Sequence, residues 1–304
     1  MTYSPDLVVS RAPHLKIRAE TTLQIMCEVM FALVPATLLG IHLFGSNAAA
    51  VIIAAVIAAV ATEAVVQRRL SSPSTAIGDG SAALTGLLLA LTLPPTLPPG
   101  YAAAGAVCAI LFGKVLQGGL GRNLFNPALV GRAIMLAVWP APMSNYVDPV
   151  DGATAATPLG GGAFGIGDIV VRAGPGSIGE ASAVLLILGA LLLLIRGRIE
   201  WRIPLFFILS AALFGSIVGA NPVVQVFSGG LMLGALFMAT DWVTSPMSNS
   251  GKILFGIGCG VATVAIRQFG QFPEGGTYAI LLMNAHVPLI DRYLKRKALG
   301  ETRR

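Results

Sequence analysis

Two threonine hydroxyls in a glycine-rich stretch are the groups in this sequence best suited to covalent chemistry. Thr154 and Thr157 lie in "DGATAATPLG" (151–160), inside a segment, 141–179, that contains nine glycines. Glycine lets the backbone approach a ligand closely, and backbone N–H groups can hold phosphate oxygens while a side-chain oxygen bonds phosphorus. The segment could therefore carry a phosphoester. The alternative is a flexible connector whose threonines are only solvated.

A second set of candidates consists of ionisable side chains within apolar runs, where charge is costly and functional roles are common. Glu63 and Asp241 lie near the ends of their runs, so we expect them at the membrane interface. For Glu28, Arg132 and His286, a cofactor or ion-path role and simple structural pairing both remain open.

The composition predicts that these residues are positioned by membrane-spanning helices. The chain is 55% hydrophobic and 11% charged, with a mean hydropathy of +0.79, which is too apolar for a soluble domain. The fold class we expect is an all-α membrane protein of about ten transmembrane helices, some of them broken. The three cysteines are widely spaced in apolar stretches and predict neither a disulfide framework nor a metal site. The apolar runs are 22–44, 48–66, 81–93, 101–116, 126–140, 180–196, 201–220, 224–240, 252–267 and 276–290.

The distribution of basic residues predicts the orientation. If the N-terminus is cytoplasmic, 17 of the 20 Lys and Arg residues fall in cytoplasmic segments, and the exceptions are Arg132, Arg172 and Arg267. Both termini are then cytoplasmic, and segment 141–179 is outside. Since topology accounts for the net charge of +6, we expect no nucleic-acid partner.

An even number of helices suggests that the single membrane domain, 1–304, has two five-helix halves, 1–140 and 180–304, joined by the outer segment 141–179. Gly113-Lys114-Val115-Leu116 recurs as Gly251-Lys252-Ile253-Leu254, and the short run from Ser81 has a loose counterpart at Ser228-Gly229-Gly230. Five-helix halves have opposite orientations in the membrane, as in inverted-repeat transporters. Chance similarity between glycine-rich helices is the alternative.

Five longer motifs are spread along the chain: "DGSAALTGLLLALTLPP" (79–95), "GGLGRNLFNPALVGRA" (118–133), "ATPL" (156–159), "DWVTSP" (241–246) and "FGQFPEGGTYAILLMNAHVPLIDRY" (269–293). With these motifs, the sequence resembles the family of RnfD, from the Rnf electron-transport complex, and NqrB, from the sodium-translocating NADH:quinone oxidoreductase. The resemblance implies a subunit of a redox-driven pump for Na⁺ or H⁺, working between ferredoxin and NAD⁺ in a bacterial inner membrane. A cofactor-free channel or secondary transporter with inverted repeats is the competing interpretation.

The resemblance also implies cofactors and partners. In that family a threonine carries FMN through a phosphoester, which a flavin transferase attaches. The motif here reads Thr154-Ala155-Ala156-Thr157, so we expect FMN on Thr157, with Thr154 nearby or modified instead. Asn123 and Asn126 could bind a second, non-covalent flavin such as riboflavin. The expected partners are the other membrane, flavoprotein and iron–sulfur subunits and membrane lipid, because this chain has no iron–sulfur or nucleotide-binding pattern.

Overall fold

In a computed structural model of the protein, the residues described are 21–70, 78–148, 159, 175–270 and 275–294. All regular elements among them are helices, which confirms the expected all-α fold class. We number the α-helices in chain order: α1 Thr22–Phe44, α2 Ser46–Leu70, α3 Ser81–Leu91, α4 Pro99–Ile110, α5 Pro127–Val138, α6 Pro140–Met143, α7 Ala183–Ile195, α8 Arg202–Ile217, α9 Pro222–Phe227, α10 Leu231–Leu233, α11 Asn249–Phe269 and α12 Gly276–Tyr293. Two π-helical turns, Leu111–Val115 and Gly234–Met238, continue α4 and α10, and a 3₁₀ turn, Ile178–Ala181, precedes α7.

Every predicted apolar run contains helix, and the outer surface of the bundle suits lipid. In the described part of the chain, α1, α2 and α11 are long and apolar enough to cross a membrane, while five further apolar helices have 10–17 residues. Large apolar side chains such as Phe31, Ile57 and Leu213 are more than half exposed, which is rare on soluble proteins in such numbers. A membrane protein is thereby supported, and ten crossings stay a prediction.

Two short helices begin at left-handed glycines, and both lie within predicted apolar runs that are shorter or broken. The N-cap of α3 is Gly80, with φ 78°, and the N-cap of α10 is Gly230, with φ 69°. Only glycine adopts this conformation at little cost, so the chain can turn sharply and restart a helix inside the bundle. The predicted run 224–240 breaks at Gly229–Gly230 for this reason.

The packing of the helices repeats along the chain. The two most extensive helix contacts are those of α2 with α4 and of α8 with α11. The contact between α4 and α5 is about as extensive as the contact between α11 and α12. This is the pattern that two five-helix halves would produce, although the division itself stays a prediction. The tetrapeptides Gly113–Leu116 and Gly251–Leu254 are not equivalent, because the first ends the α4 segment and the second begins α11.

The short helices α3 and α10 run in opposite directions. A Cβ built on Gly179 would lie 2.8 Å from the Leu91 carbonyl oxygen, at the end of α3, and 3.2 Å from Leu233 of α10. At the other end of the bundle, Ser81 at the start of α3 shares a cavity with Thr240, which follows the π turn after α10. We call the end with Ser81 the basic end, and the end with Ile178–Ala181 the connector end.

Candidate functional site

A cavity of about 330 Å³ opens at the basic end. The starts of α1, α3 and α5 and the segment Thr240–Val243 form its walls, which are mostly apolar. The volume lies in the range of about 300–1,000 Å³ that is usual for small-molecule sites. A mostly apolar wall with a few polar groups suits a flat, heteroaromatic ligand better than a hydrated ion.

Both asparagines predicted to bind a second flavin line this cavity, but the hydrogen bonds of their side chains differ. Asn126 caps α5, because its Oδ1 accepts from the Ala128 and Leu129 amides, and its Nδ2 donates to the Met238 carbonyl. Asn123 is 5% exposed, and its Nδ2 donates to the Phe125 carbonyl at 3.3 Å. Its Oδ1 has no hydrogen-bond partner, one of few such buried side-chain atoms in the described residues. Asn123 is therefore the better placed of the two to accept a hydrogen bond from a ligand.

The floor of the cavity contains a buried ionic network. Lys114, in the π turn after α4, is 2% exposed and donates to the Glu63 carboxylate of α2 and to Ser81 Oγ at 2.5 Å. Ser81 Oγ in turn donates to Asp79 Oδ1 at 2.5 Å. These bonds hold the start of α3 to α2 and α4, and they place a fixed ammonium group beside the cavity.

The remaining intramembrane candidates have mixed outcomes. Glu63 is 7% exposed and paired with Lys114, so it is buried within the protein, and its position at the membrane interface stays a prediction. Glu28 forms ion pairs with Arg196 and Arg198 across α1 and the end of α7. His286 is exposed, and its Nδ1 lies 2.7 Å from the Leu282 carbonyl oxygen of its own helix.

Asp241 lies on the cavity wall at the basic end, beyond the last π turn. Its carboxylate accepts from the Val243 amide at 3.2 Å and from Thr244 Oγ1 at 3.2 Å. Burial raises the pKa of the Asp241 carboxyl above its usual value, although these two hydrogen bonds lower the pKa in part. A carboxyl group with a raised pKa next to a cavity can hold a proton at higher pH than a solvated one.

The connector end contains a second polar network, around Arg132 and Glu180. Arg132 of α5 is 3% exposed and donates to the Thr92 carbonyl at the end of α3. Burial raises the pKa of the neighbouring Tyr146 to about 12, while its contact with the Arg132 guanidinium acts in the opposite direction. Glu180 accepts from Ser177 Oγ at 2.7 Å and lies within electrostatic range of Arg267.

Arg267 of α11 holds the break between α9 and α10. Its Nη1 donates to the Gln225 carbonyl at 2.5 Å, and its Nη2 donates to the carbonyls of Ser228 at 2.8 Å and Gly229 at 3.1 Å. These carbonyls lie at the end of α9, where helical partners run out. The guanidinium group therefore stabilises a broken helix at the connector end.

One described residue of the "ATPL" motif lies against this break. Thr154 and Thr157 lie outside the described residues, but Leu159, which ends the "ATPL" motif, is described. A Cβ built on Gly229 would collide with Leu159 Cδ1 and would lie 2.7 Å from Arg267 Nη2. Leu159 thus packs directly on Gly229, next to the Arg267 guanidinium.

Comparison with known proteins assigns the chain to one family. The model of the NQR2, RnfD, RnfE family matches residues 8–300, almost the whole chain. The chain belongs to this family. The NQR2, RnfD, RnfE family is the one that the sequence motifs indicate, and membership confirms that resemblance.

Relatives in this family are similar over their full length. The chain is 43% identical to the D subunit of the Na⁺-translocating ferredoxin:NAD⁺ oxidoreductase complex of Acetobacterium woodii, over 98% of the chain and 96% of the relative. It is 42% identical to the D subunit of the proton-translocating ferredoxin:NAD⁺ oxidoreductase complex of Clostridium ljungdahlii, over 97% and 96%. The D subunit of an ion-translocating oxidoreductase complex of Stutzerimonas stutzeri is 39% identical over 92% of this chain and 93% of the relative. These relatives are named as subunits of ion-translocating oxidoreductase complexes.

Two residues that the structure places in the polar networks, Lys114 and Arg267, were not among the candidates predicted from the sequence. Lys114 counts in the sequence only as a cytoplasmic charge, although it follows an unbroken apolar run, 101–113, which is a signal of burial. Arg267 is expected in an outer segment, but α11 continues to Phe269 and includes it. In both cases a single cation at the end of an apolar helix is the signal that could have found them.

Proposed function

We propose that this chain is the flavin-bearing membrane subunit of an ion-translocating ferredoxin:NAD⁺ oxidoreductase complex in a bacterial inner membrane. FMN is attached to Thr157 through a phosphoester, and a second, non-covalent flavin such as riboflavin occupies the cavity at the basic end. Electrons pass through this subunit while the complex moves Na⁺ or H⁺. Both termini are cytoplasmic, so the connector end faces outside.

The single observation that most supports the covalent site is the contact of Leu159 with Gly229. Thr157 precedes Leu159 by two residues, and two residues of chain span at most about 7 Å. A group on Thr157 is thereby kept close to the break between α9 and α10, which contains the cation Arg267. A buried guanidinium is a suitable neighbour for a phosphodiester.

The residues of the cavity fit the second flavin. Asn123 Oδ1 is a buried acceptor without a partner, and a flavin ring offers an N–H donor. Lys114 also lines the cavity, and its ammonium group has three N–H donors, so one can bond to a flavin carbonyl while Glu63 offsets the charge. When bound, a flavin supplies exchange of one or two electrons; the chain orients it, keeps water out and sets the local charge.

The other redox groups belong to partner subunits. The sequence has no cysteine pattern for iron–sulfur clusters and no glycine motif for NAD⁺, so ferredoxin and NAD⁺ must bind elsewhere in the complex. A flavin transferase is required for attachment. The exposed aliphatic surface of α1, α2 and α8 is available for lipid and for neighbouring membrane subunits.

A denaturing gel of the complex tests the covalent flavin. The wild-type chain should fluoresce yellow-green, Thr157→Ala should abolish this fluorescence, and Thr157→Ser should retain part of it because the attachment oxygen is kept. Thr154→Ala should lower the yield without moving the site. Fluorescence that persists in Thr157→Ala but disappears in Thr154→Ala would assign the attachment to Thr154. A colourless wild-type chain would favour the cofactor-free channel or transporter.

A further inference from the structure

The break between α9 and α10 contains two polar atoms that its own hydrogen bonds leave unused. Ser228 is 4% exposed, and its Oγ has no hydrogen-bond partner. Arg267 Nε is also buried without a partner, in contrast to Nη1 and Nη2 of the same guanidinium. Such atoms are rare among the buried polar groups that the structure describes, and leaving a buried polar group unpaired costs stability.

These two atoms belong to one small region. Arg267 Nη2 donates to the Ser228 and Gly229 carbonyls, so the guanidinium lies against the Ser228–Gly229 backbone. The lack of a Cβ at Gly229 is what admits both Leu159 and the guanidinium, since an added Cβ would collide with both. A donor hydroxyl and a donor N–H⁺ without acceptors together form a site for an anion.

The repeated packing points to the same region. Lys114 lies at the end of the fourth helix of the first half and bonds to Ser81, at the start of broken helix α3. Arg267 lies near the end of the fourth apolar run of the second half, in α11, and bonds to Ser228 and Gly229, just before broken helix α10. Lys114 borders the cavity at the basic end, so Arg267 holds the matching position at the connector end.

We propose, on the basis of the function proposed above, that Ser228 Oγ and Arg267 Nε bind the phosphoryl group of the flavin carried by Thr157. Ser228 and Arg267 are then positioning residues that fix the phosphate, and thereby the flavin, against the break. Glu180, whose Oε1 would lie 3.3 Å from a Cβ on Gly230, is within electrostatic range of Arg267, so the phosphoryl group shares this cation with a carboxylate.

The test uses the purified complex with Thr157→Ala, which cannot form the ester, saturated with riboflavin to fill other flavin sites. Radiolabelled FMN should still bind reversibly to this complex. Ser228→Ala in the same background should weaken FMN binding about tenfold or more, because a hydrogen bond to a charged group is lost. Arg267→Lys should also weaken it, since lysine keeps the charge but lacks Nε–H.

The matched control is Ser210→Ala, which removes another buried serine whose Oγ donates to the Phe207 carbonyl. FMN binding should be unchanged in this control. In a chain that retains Thr157, Ser228→Ala should also lower the covalent flavin per polypeptide on the denaturing gel. In the Thr157→Ala background without FMN, Ser228→Ala should leave thermal stability equal or higher, because an unsatisfied hydroxyl is removed.

The outcomes separate the two proposals. If Ser228→Ala binds FMN as tightly as the chain with Ser228, the phosphate site is wrong, even if Thr157 carries flavin. The same holds if no FMN binds to the complex that is saturated with riboflavin. A wild-type chain without covalent flavin, together with Ser228-dependent binding of free FMN, overturns the attachment to Thr157 and supports the phosphate site.

Discussion

Lys114 and Glu63 form an ion pair between the π turn after α4 and the C-terminal part of α2, and the side chains are only 2% and 10% exposed. Ser81 Oγ accepts a further hydrogen bond from the ammonium group. Two opposite charges that are buried together stabilise each other, and either charge alone would destabilise the folded protein. The pair fixes the start of α3 at the floor of the cavity.

Removing one member of this pair should destabilise the protein strongly. Glu63→Gln or Lys114→Met alone should cost about 3–5 kcal/mol, because an unpaired charge or a broken network stays buried, whereas the double variant should cost less than the sum. The thermal midpoint of the purified complex measures this. The control is Arg196→Ala, because Arg196 pairs with Glu28 through a side chain that is 59% exposed. Its loss should cost at most about 1 kcal/mol. Additive effects of the two buried substitutions would contradict a coupled pair.

The close contact of α2 and α3 predicts that Gly86 tolerates no side chain. A Cβ on Gly86 would lie 2.8 Å from the Ala55 carbonyl oxygen and from the Val56 Cα, and both atoms are backbone. Gly86→Ala should therefore lower the thermal midpoint and the yield of folded protein. Gly100→Ala is the control, because a Cβ there meets nothing within 4 Å, and alanine should be neutral or stabilising by up to about 1 kcal/mol.

Asn123 should control the content of non-covalent flavin. Asn123→Leu removes the unpaired Oδ1 acceptor from the cavity, so flavin released by acid from the complex should fall, measured per polypeptide by chromatography. Asn221→Ala is a matched control, since Asn221 caps α9 away from this cavity. An unchanged flavin content in Asn123→Leu would show that the second flavin does not depend on this side chain.

The raised pKa of Asp241 predicts a pH-dependent stability. Burial raises the pKa of this carboxyl in the folded protein, so between its unfolded value, about 3.9, and its folded value the native state holds a proton that the unfolded state has released. Stability from this group therefore falls as pH rises through that window. Asp241→Asn should remove this loss, so its thermal midpoint should exceed that of the wild type at pH 8 and approach it at pH 4. An equal advantage at both pH values would contradict the raised pKa.

The predicted orientation can be tested with single cysteines in a chain whose exposed Cys27 is replaced by serine. Ser144→Cys, at an exposed position of the connector end, should react with an impermeant thiol reagent in intact cells. At the basic end, Met247 is 85% exposed and borders the cavity that contains Lys252 and Glu200, so the second single cysteine is Met247→Cys. It should react only after the membrane is opened. The reverse pattern would place the connector end in the cytoplasm.

The helices were predictable because their apolar runs are long and their breaks occur at glycine or proline. The Asn126-Pro127 pair marks the start of α5, since asparagine caps and proline begins helices. The pairing of Glu63 with Lys114 was not predictable, because their contact depends on the packing of α2 against α4 over 51 positions of sequence. The sequence also does not show that Asn123 keeps a free acceptor, because this depends on which groups the fold brings to its Oδ1.

The opposite directions of α3 and α10 also bear on where negative charge can rest. Each helix has a partial positive charge at its N-terminus and a partial negative charge at its C-terminus. Ser81 begins α3 at the basic end and Gly230 precedes α10 at the connector end, so both positive termini, each with a buried cation at hand in Lys114 or Arg267, point to opposite ends of the bundle. Because α3 runs the other way, its negative C-terminus at Leu91 lies beside α10 at the connector end, so the two antiparallel dipoles largely offset each other and the side chains at the two breaks set the local charge.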